Sequence, residues 1–195
     1  MKPLTVGVLA FHGDVIEHIQ AVGQAANNLN LQVNILPVRT KKVLNNLDAL
    51  IIPGGESTTL YKLCAREGML KQLKKIKNIF GTCAGAIMLA KIIRSKMLGQ
   101  KTLELMDIEI DRNAYGRQTE SFEKDIKTSL GNINAVFIRA PKIKSIDKNI
   151  NILAKNGQDI IACEEKIGDK FYLAACFHPE LTTTKFHEYF LENVR

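Results

Sequence analysis

The sequence predicts an α/β protein with a mixed, mainly parallel central sheet and helices on both faces. Three observations carry that reading. Through the first half, β-branched apolar runs alternate with stretches of helical period. In the second half, Asn156-Gly157 and Gly168-Asp169 stand as hairpin turns between alternating runs. The chain has 195 residues, 46% of them hydrophobic, which is enough for one substantial core. Residues 1–195 are therefore expected to form a single domain, with no linker, internal repeat or low-complexity segment.

The elements follow in order. Leu4 to Phe11 is apolar and β-branched and ends at Gly13, as a buried strand would. The next stretch repeats apolar residues at Ile16, Ile19, Val22, Ala26 and Leu29, a helical spacing, with Asp14 and Glu17 placed as a capping box. Gln32 to Val38, Ala49 to Pro53 and Asn78 to Thr82 read as further strands, with helices starting near Thr58 and at Ala84. Strand and helix alternating at these lengths give a parallel sheet. Beyond them, "LMDIEIDRN" and "RQTESFEKDI" read as strands around a Gly116 turn. "NAVFIRAP", the run from Ile150 to Phe177 and a closing helix from about Thr183 complete the chain. These later strands add an antiparallel portion.

Charge and composition exclude several classes. The net charge is +7, and its densest run is "KQLKKIKN", Lys71 to Asn78. With few aromatics to stack bases, this run reads as a solvated helix face over inward Leu70, Leu73 and Ile76, not as a nucleic-acid patch. No apolar run approaches the roughly 20 residues that cross a bilayer. Met1-Lys2-Pro3 does not open a signal peptide. The four cysteines fall at irregular spacings without a CxxC pair, so neither a metal site nor a disulfide framework is expected. A cytoplasmic protein with reduced thiols is the expectation.

Chemistry concentrates at "FGTCAG". A strand that runs straight into a helix forces the residue between them into a strained turn, and bulky neighbours would collide there. Gly81-Thr82-Cys83-Ala84-Gly85 is the nucleophile-elbow pattern with cysteine as nucleophile. The helix N-terminus behind it favours thiolate over thiol. A cysteine nucleophile needs a base, and there are four histidines. His187 reads as a surface residue of the last helix and His18 as an amphipathic-face residue of the first. His12 follows the first strand and could face a site. His178 stands in "FHPEL", where Pro179 biases it toward extended backbone, so that His178 and Glu180 would share a face and complete a triad. Cys64, Cys163 and Cys176 lack an elbow and read as core.

"PGGEST" ends the third strand and opens a helix, with Ser57 as a natural N-cap. A phosphate loop would need a lysine and a downstream glycine that are missing. A plain tight turn remains an alternative. The preferred reading is an oxyanion hole made by the N–H groups of Gly55 and Ala84.

Elbow, GGES and HPE together resemble the triad-type glutamine amidotransferases. "PGGESTT", "FGTCAG", "DRNAYGRQ", "FIRAP" and "FHPEL", in that order, resemble more narrowly the PdxT/SNO family, the glutaminase subunits of pyridoxal 5′-phosphate synthase. The resemblance implies a flavodoxin-like, three-layer class I amidotransferase fold. It implies hydrolysis of L-glutamine to glutamate and ammonia, with ammonia passed to a partner synthase subunit of the PdxS/SNZ type in a large hetero-oligomer. No cofactor, membrane or nucleic-acid partner is implied. Carried over by motif, Cys83, His178 and Glu180 form the triad. Gly55, Glu56, Ser57, Arg112, Ile138 and Arg139 contact glutamine. Arginines suit a zwitterionic substrate's carboxylate. Arg117 stays open between loop and ligand roles. One departure stands out: Phe11-His12-Gly13 replaces the family's usual LQG, putting a titratable ring where an amide is expected.

Overall fold

The computed structural model describes residues 2–94, 99–112 and 121–195. The first half gives β1 (Leu4–Leu9), α1 (Val15–Asn28), β2 (Val33–Val38), the short α2 (Lys41–Leu44), β3 (Ala49–Ile52), α3 (Ser57–Arg66), a single turn α4 (Leu70–Leu73), β4 (Asn78–Thr82) and α5 (Ala84–Leu89). The rest gives β5 (Ala90–Arg94), β6 (Met106–Asp111), β7 (Phe122–Thr128), β8 (Gly131–Phe137), β9 (Lys142–Ile146), β10 (Ile150–Asn156), β11 (Asp159–Ile167) and β12 (Lys170–Ala175). A 3-10 turn at Pro179–Leu181 and α6 (Lys185–Val194) close it. The Gly116 turn and Arg117 lie outside the described residues.

One 12-stranded sheet has the path β2-β1-β3-β4-β12-β11-β10-β7-β8, with β9, β6 and β5 branching from β11. β2, β1, β3, β4 and β12 are mutually parallel. β12 is the pivot, since its other neighbour, β11, is antiparallel to it. Both expected hairpins form, and Gly157 and Gly168 take the positive φ of 62° and 60° that such turns need. β6 and β7 take different partners, β6 joining β5 and β9 while β7 joins β8 and β10.

Side-chain alternation on β4 shows helices on both faces. Phe80 and Thr82 face α1 and α6: the Phe80 ring is 5.4 Å from His187 and 5.7 Å from Phe190, and Thr82 Oγ1 is 3.0 Å from His18 Nε2. Gly81 faces the other way, where a Cβ would stand 2.5 Å from the carbonyl carbon of Gly85 in α5. The register then places the site. Ala175 of β12 pairs with Thr82 of β4, and Cys83 N–H donates to the Ala175 carbonyl at 2.8 Å. The chain leaving β12 thus passes directly beside the residue leaving β4, at the carboxyl ends of parallel strands where α/β folds place ligands.

Four local expectations change. The helix expected from Ala84 stops after six residues at Leu89, and Ala90–Arg94 pairs with β6 as a parallel strand, anchored by Lys91–Asp107 and Arg94–Glu109 ion pairs. The face of α1 is rotated from the apolar pattern: Ile16 is 65% exposed while His18 is fully buried. His187, expected at the surface, is also fully buried, because α6 packs against α1 and Phe80. The lysine-rich helix is one turn, although Leu73 and Ile76 do face the core.

Candidate active site

The elbow is built as the residue pattern requires. Cys83 has φ 48° and ψ −104°, a left-handed backbone that non-glycine residues rarely hold. Its neighbours permit it by contact. A Cβ on Gly85 would lie 1.9 Å from the Ile52 carbonyl oxygen of β3, so strand and helix approach closely only because position 85 is bare. Ala84 opens α5, and the N–H groups of that first turn have no carbonyl a turn earlier to bind. The Cys83 thiol is mostly buried and donates to the Ile138 carbonyl at 3.8 Å.

His178 is fixed from several sides. Its N–H donates to the Val136 carbonyl of β8 at 2.9 Å. Its ring lies over Gly54, where a Cβ would stand 2.5 Å from Cε1. Nδ1 is 2.8 Å from Glu180 Oε1 and 3.0 Å from Asp14 Oδ2. The pairing with Glu180 arises differently from the extended alternation expected: Pro179 starts a 3-10 turn that folds the carboxylate back under the ring. Asp14, expected to cap α1, makes no side-chain cap and turns to His178 instead.

Charge is distributed accordingly. Burial works against a charged His178, but the nearby Cys83 sulfur and the hydrogen bond to Glu180 outweigh it and push its pKa up to about 10. Burial likewise opposes charge on Glu180, yet hydrogen bonds from His178 and His18 hold the carboxyl well below its usual range. Burial pushes the Cys64 thiol up to about 12, and those of Cys163 and Cys176 are raised as well. They behave as the core residues expected.

The GGES segment adds a second polar cluster. Gly55 has φ 120°, and a Cβ there would meet His12 Nδ1 at 2.3 Å, so the His12 ring packs on the bare backbone. Glu56, not Ser57, caps α3, accepting from the N–H groups of Thr58 at 3.0 Å and Thr59 at 2.7 Å. Burial opposes charge on Glu56, but the bonds from Thr59 and Thr58 together outweigh it and bring its pKa down to about 2. Ser57 is buried and accepts from Gln100 Nε2 at 3.0 Å. Arg112 donates to Glu56 at 2.7 Å and to Thr58 and Gln100 at 3.1 Å each.

The expected residues therefore fall into two adjoining groups. Cys83, Ile138, His178 and Glu180 meet directly, and Gly55, Glu56, Ser57 and Arg112 form the loop cluster. Arg139 follows Ile138 with φ 45° and is exposed. Sequence reasoning missed Asp14, His18, Gln100 and His187. No local pattern marks them, since each meets a partner far away in sequence. The ligand atoms of Asp14, His178 and Glu180 lie within 4.8 Å of one another, the one such group among the described residues. A proton on Nδ1 shared by two carboxylates accounts for it.

A cysteine elbow and a His–Glu pair at the carboxyl ends of parallel strands are the arrangement of a cysteine-dependent glutamine amidotransferase. A crystal structure described as a glutamine amidotransferase superposes with a TM-score of 0.82 at 41% identity, over 97% of this chain and 98% of that one. The pyridoxal 5′-phosphate synthase subunit PdxT of Thermococcus onnurineus is 42% identical over 96% of this chain and 98% of its own. That of Brevibacillus brevis is 42% identical over 98% of both. The model of the SNO glutamine amidotransferase family matches residues 8–195, and the chain belongs to that family.

Proposed function

We propose that residues 1–195 act as one glutaminase domain, the ammonia-supplying subunit of a pyridoxal 5′-phosphate synthase, with Cys83, His178 and Glu180 as its triad. The observation that carries the triad is the His178–Glu180 contact, Nδ1 to Oε1 at 2.8 Å, with His178 Nε2 buried and free of any other partner among the described residues and the Cys83 sulfur close enough to raise the ring's pKa. Full-length similarity to PdxT subunits supports the pathway.

Glutamine binds with its side-chain amide over Cys83. The sulfur attacks the amide carbon, and the thiol proton is held on His178. The N–H groups of Gly55 and Ala84 receive the oxyanion. Collapse expels ammonia, which takes its proton from His178, and leaves a γ-glutamyl thioester. Water, deprotonated by His178, then attacks the thioester and releases glutamate and the free thiol. Glu180 stays ionised throughout and steadies the imidazolium. Glu56, Ser57, Arg112, Ile138 and Arg139 hold the amino-acid end, the arginines facing its carboxylate. Ammonia passes to a PdxS/SNZ-type subunit in a hetero-oligomer. No described helix is long and apolar enough to cross a membrane. The cytoplasm is the compartment that suits the four free cysteines.

The test is glutamate release from glutamine by the chain alone, with a synthase subunit, and with Cys83→Ala. Release that needs the partner and vanishes in the variant is the expected result. Equal release with and without the synthase breaks the coupling, and no release under any condition overturns the glutaminase reading.

A further inference from the structure

Beneath the triad, on the side away from the sulfur, lies a second row of buried polar groups. His18 on α1 and His187 on α6 are both fully buried in the wall formed by Phe80 and Phe190. His18 Nε2 lies 3.0 Å from Thr82 Oγ1 and 3.3 Å from Glu180 Oε1. His18 Nδ1 lies 3.0 Å from His187 Nε2. His187 Nδ1 has no partner among the described residues.

These contacts constrain the protons. A bare His18 Nε2 would point its lone pair at a carboxylate oxygen in a site closed to water, so that nitrogen must carry hydrogen. Burial pushes the His187 pKa down to about 3, so its ring is neutral with a single N–H. Placed on Nε2, that N–H donates to His18 Nδ1. That arrangement places a His18 proton on Nε2, facing Thr82 and Glu180. His18 thereby joins Thr82, the residue ahead of the nucleophile, to the carboxylate of the triad.

We propose that His18, with its tautomer set by His187, is a positioning residue of the hydrolysis. Its Nε2 proton keeps Glu180 ionised and aimed at His178, and ties that carboxylate to the strand carrying Cys83. This inference rests on the glutaminase reading above. Glu180 is faced elsewhere by His178, by Asp14 across that ring and by Cys83 beyond it. Glu17, Lys185 and Glu188 line the cleft between α1 and α6 that reaches it.

The test compares His18→Gln with His18→Asn in the complex with the synthase subunit. A glutamine amide reaches the Nε2 position and can still donate to Glu180, whereas an asparagine amide stops at the Nδ1 position. His18→Gln should keep most of kcat. His18→Asn should lose at least about tenfold in kcat, with KM little changed. Its acid limb should move up, because Glu180 loses one of the donors that hold its carboxyl well below the usual range. Equal activity of the two variants, or equal loss with an unmoved acid limb, overturns the proposal. Wild-type complex without glutaminase activity would instead sink the reading beneath it. Ring 15N shifts of the unmodified protein give a second measure that needs no variant. They should show His18 protonated at Nε2, and a bare Nε2 refutes the assignment.

Discussion

Asp14 Oδ2 stands 3.0 Å from His178 Nδ1, the nitrogen that Glu180 Oε1 holds at 2.8 Å. The imidazole therefore has two carboxylates on one N–H, the buried Glu180 and an Asp14 side chain that is 34% exposed. Cys83 and Glu180 hold the His178 pKa up at about 10, and removing the Asp14 charge 3.0 Å from Nδ1 takes a further anion from the imidazolium, so that pKa should fall slightly. Asp14→Asn should pull in the alkaline limb of kcat by about half a pH unit, since in the proposed hydrolysis the ring is the acid that protonates the departing ammonia. Activity near neutrality should drop only slightly. A pH profile of the variant complex checks this, and an unmoved alkaline limb would show that Asp14 is electrostatically idle.

The parts of the molecule legible in the sequence share one property: they are decided by short-range sterics. Gly81 and Gly85 around Cys83, and the glycines of the two hairpins, mark places where a Cβ or a negative φ cannot be tolerated. The order of strands beyond β4 was not legible. It depends on β12 inserting beside β4, a long-range pairing that no local pattern encodes. His18 and His187 were misread for a related reason. A helical wheel treats histidine as surface, yet here three of the four ring nitrogens are matched by residues far away in sequence, 169 positions apart for the pair itself. Asp14 sat where a helix cap belongs, and tertiary structure gave it a different partner. Glu56 takes the capping role expected of Ser57, with Arg112 bound to Glu56 and Gln100 to Ser57 from a segment far along the chain.

Of the four cysteines, only Cys83 sits at the elbow beside a histidine. Burial raises the other three thiols and keeps them from ionising. Iodoacetamide at neutral pH should therefore modify Cys83 first and abolish glutaminase activity in proportion. Peptide mass mapping of the labelled protein reads the site. Comparable early labelling of Cys64 or Cys176 would show that the fold opens more readily than its packing implies.

Two glycines near the site should fail in different ways when replaced by alanine. At Gly54 the new methyl meets His178 Cε1 at 2.5 Å, a ring edge that can swing aside. Gly54→Ala should fold with a small loss of stability and lose on the order of a hundredfold in kcat through misplacement of His178, the proposed base. At Gly85 the methyl meets the Ile52 carbonyl oxygen at 1.9 Å, and two backbones must separate. Gly85→Ala should cost about 3 kcal/mol or more in stability. Urea melts and kcat measured side by side separate the two effects. A Gly54→Ala enzyme with full activity would mean that the ring position over Gly54 is not needed.

His187 should leave a signature in the pH dependence of folding. Its native pKa of about 3 lies below the ordinary 6.5, so as pH falls through 6.5 the unfolded chain takes up a proton that the native ring refuses. Stability is then lost toward acid with a slope of up to about 1.4 kcal/mol per pH unit. Glu180, whose pKa is depressed from 4.5, adds a loss of the same sign only below that value. The raised His178 pKa contributes stability that is fully present below 6.5 and is lost only as pH rises toward about 10. The window from pH 6.5 to 4.5 is therefore where His187 acts with least interference from the triad. His187→Gln, which keeps a donor toward His18 without a titrating ring, should flatten the stability curve across that window. Urea unfolding at half-unit steps of pH measures the slope, and an equal slope in the variant would place the acid sensitivity elsewhere in the molecule.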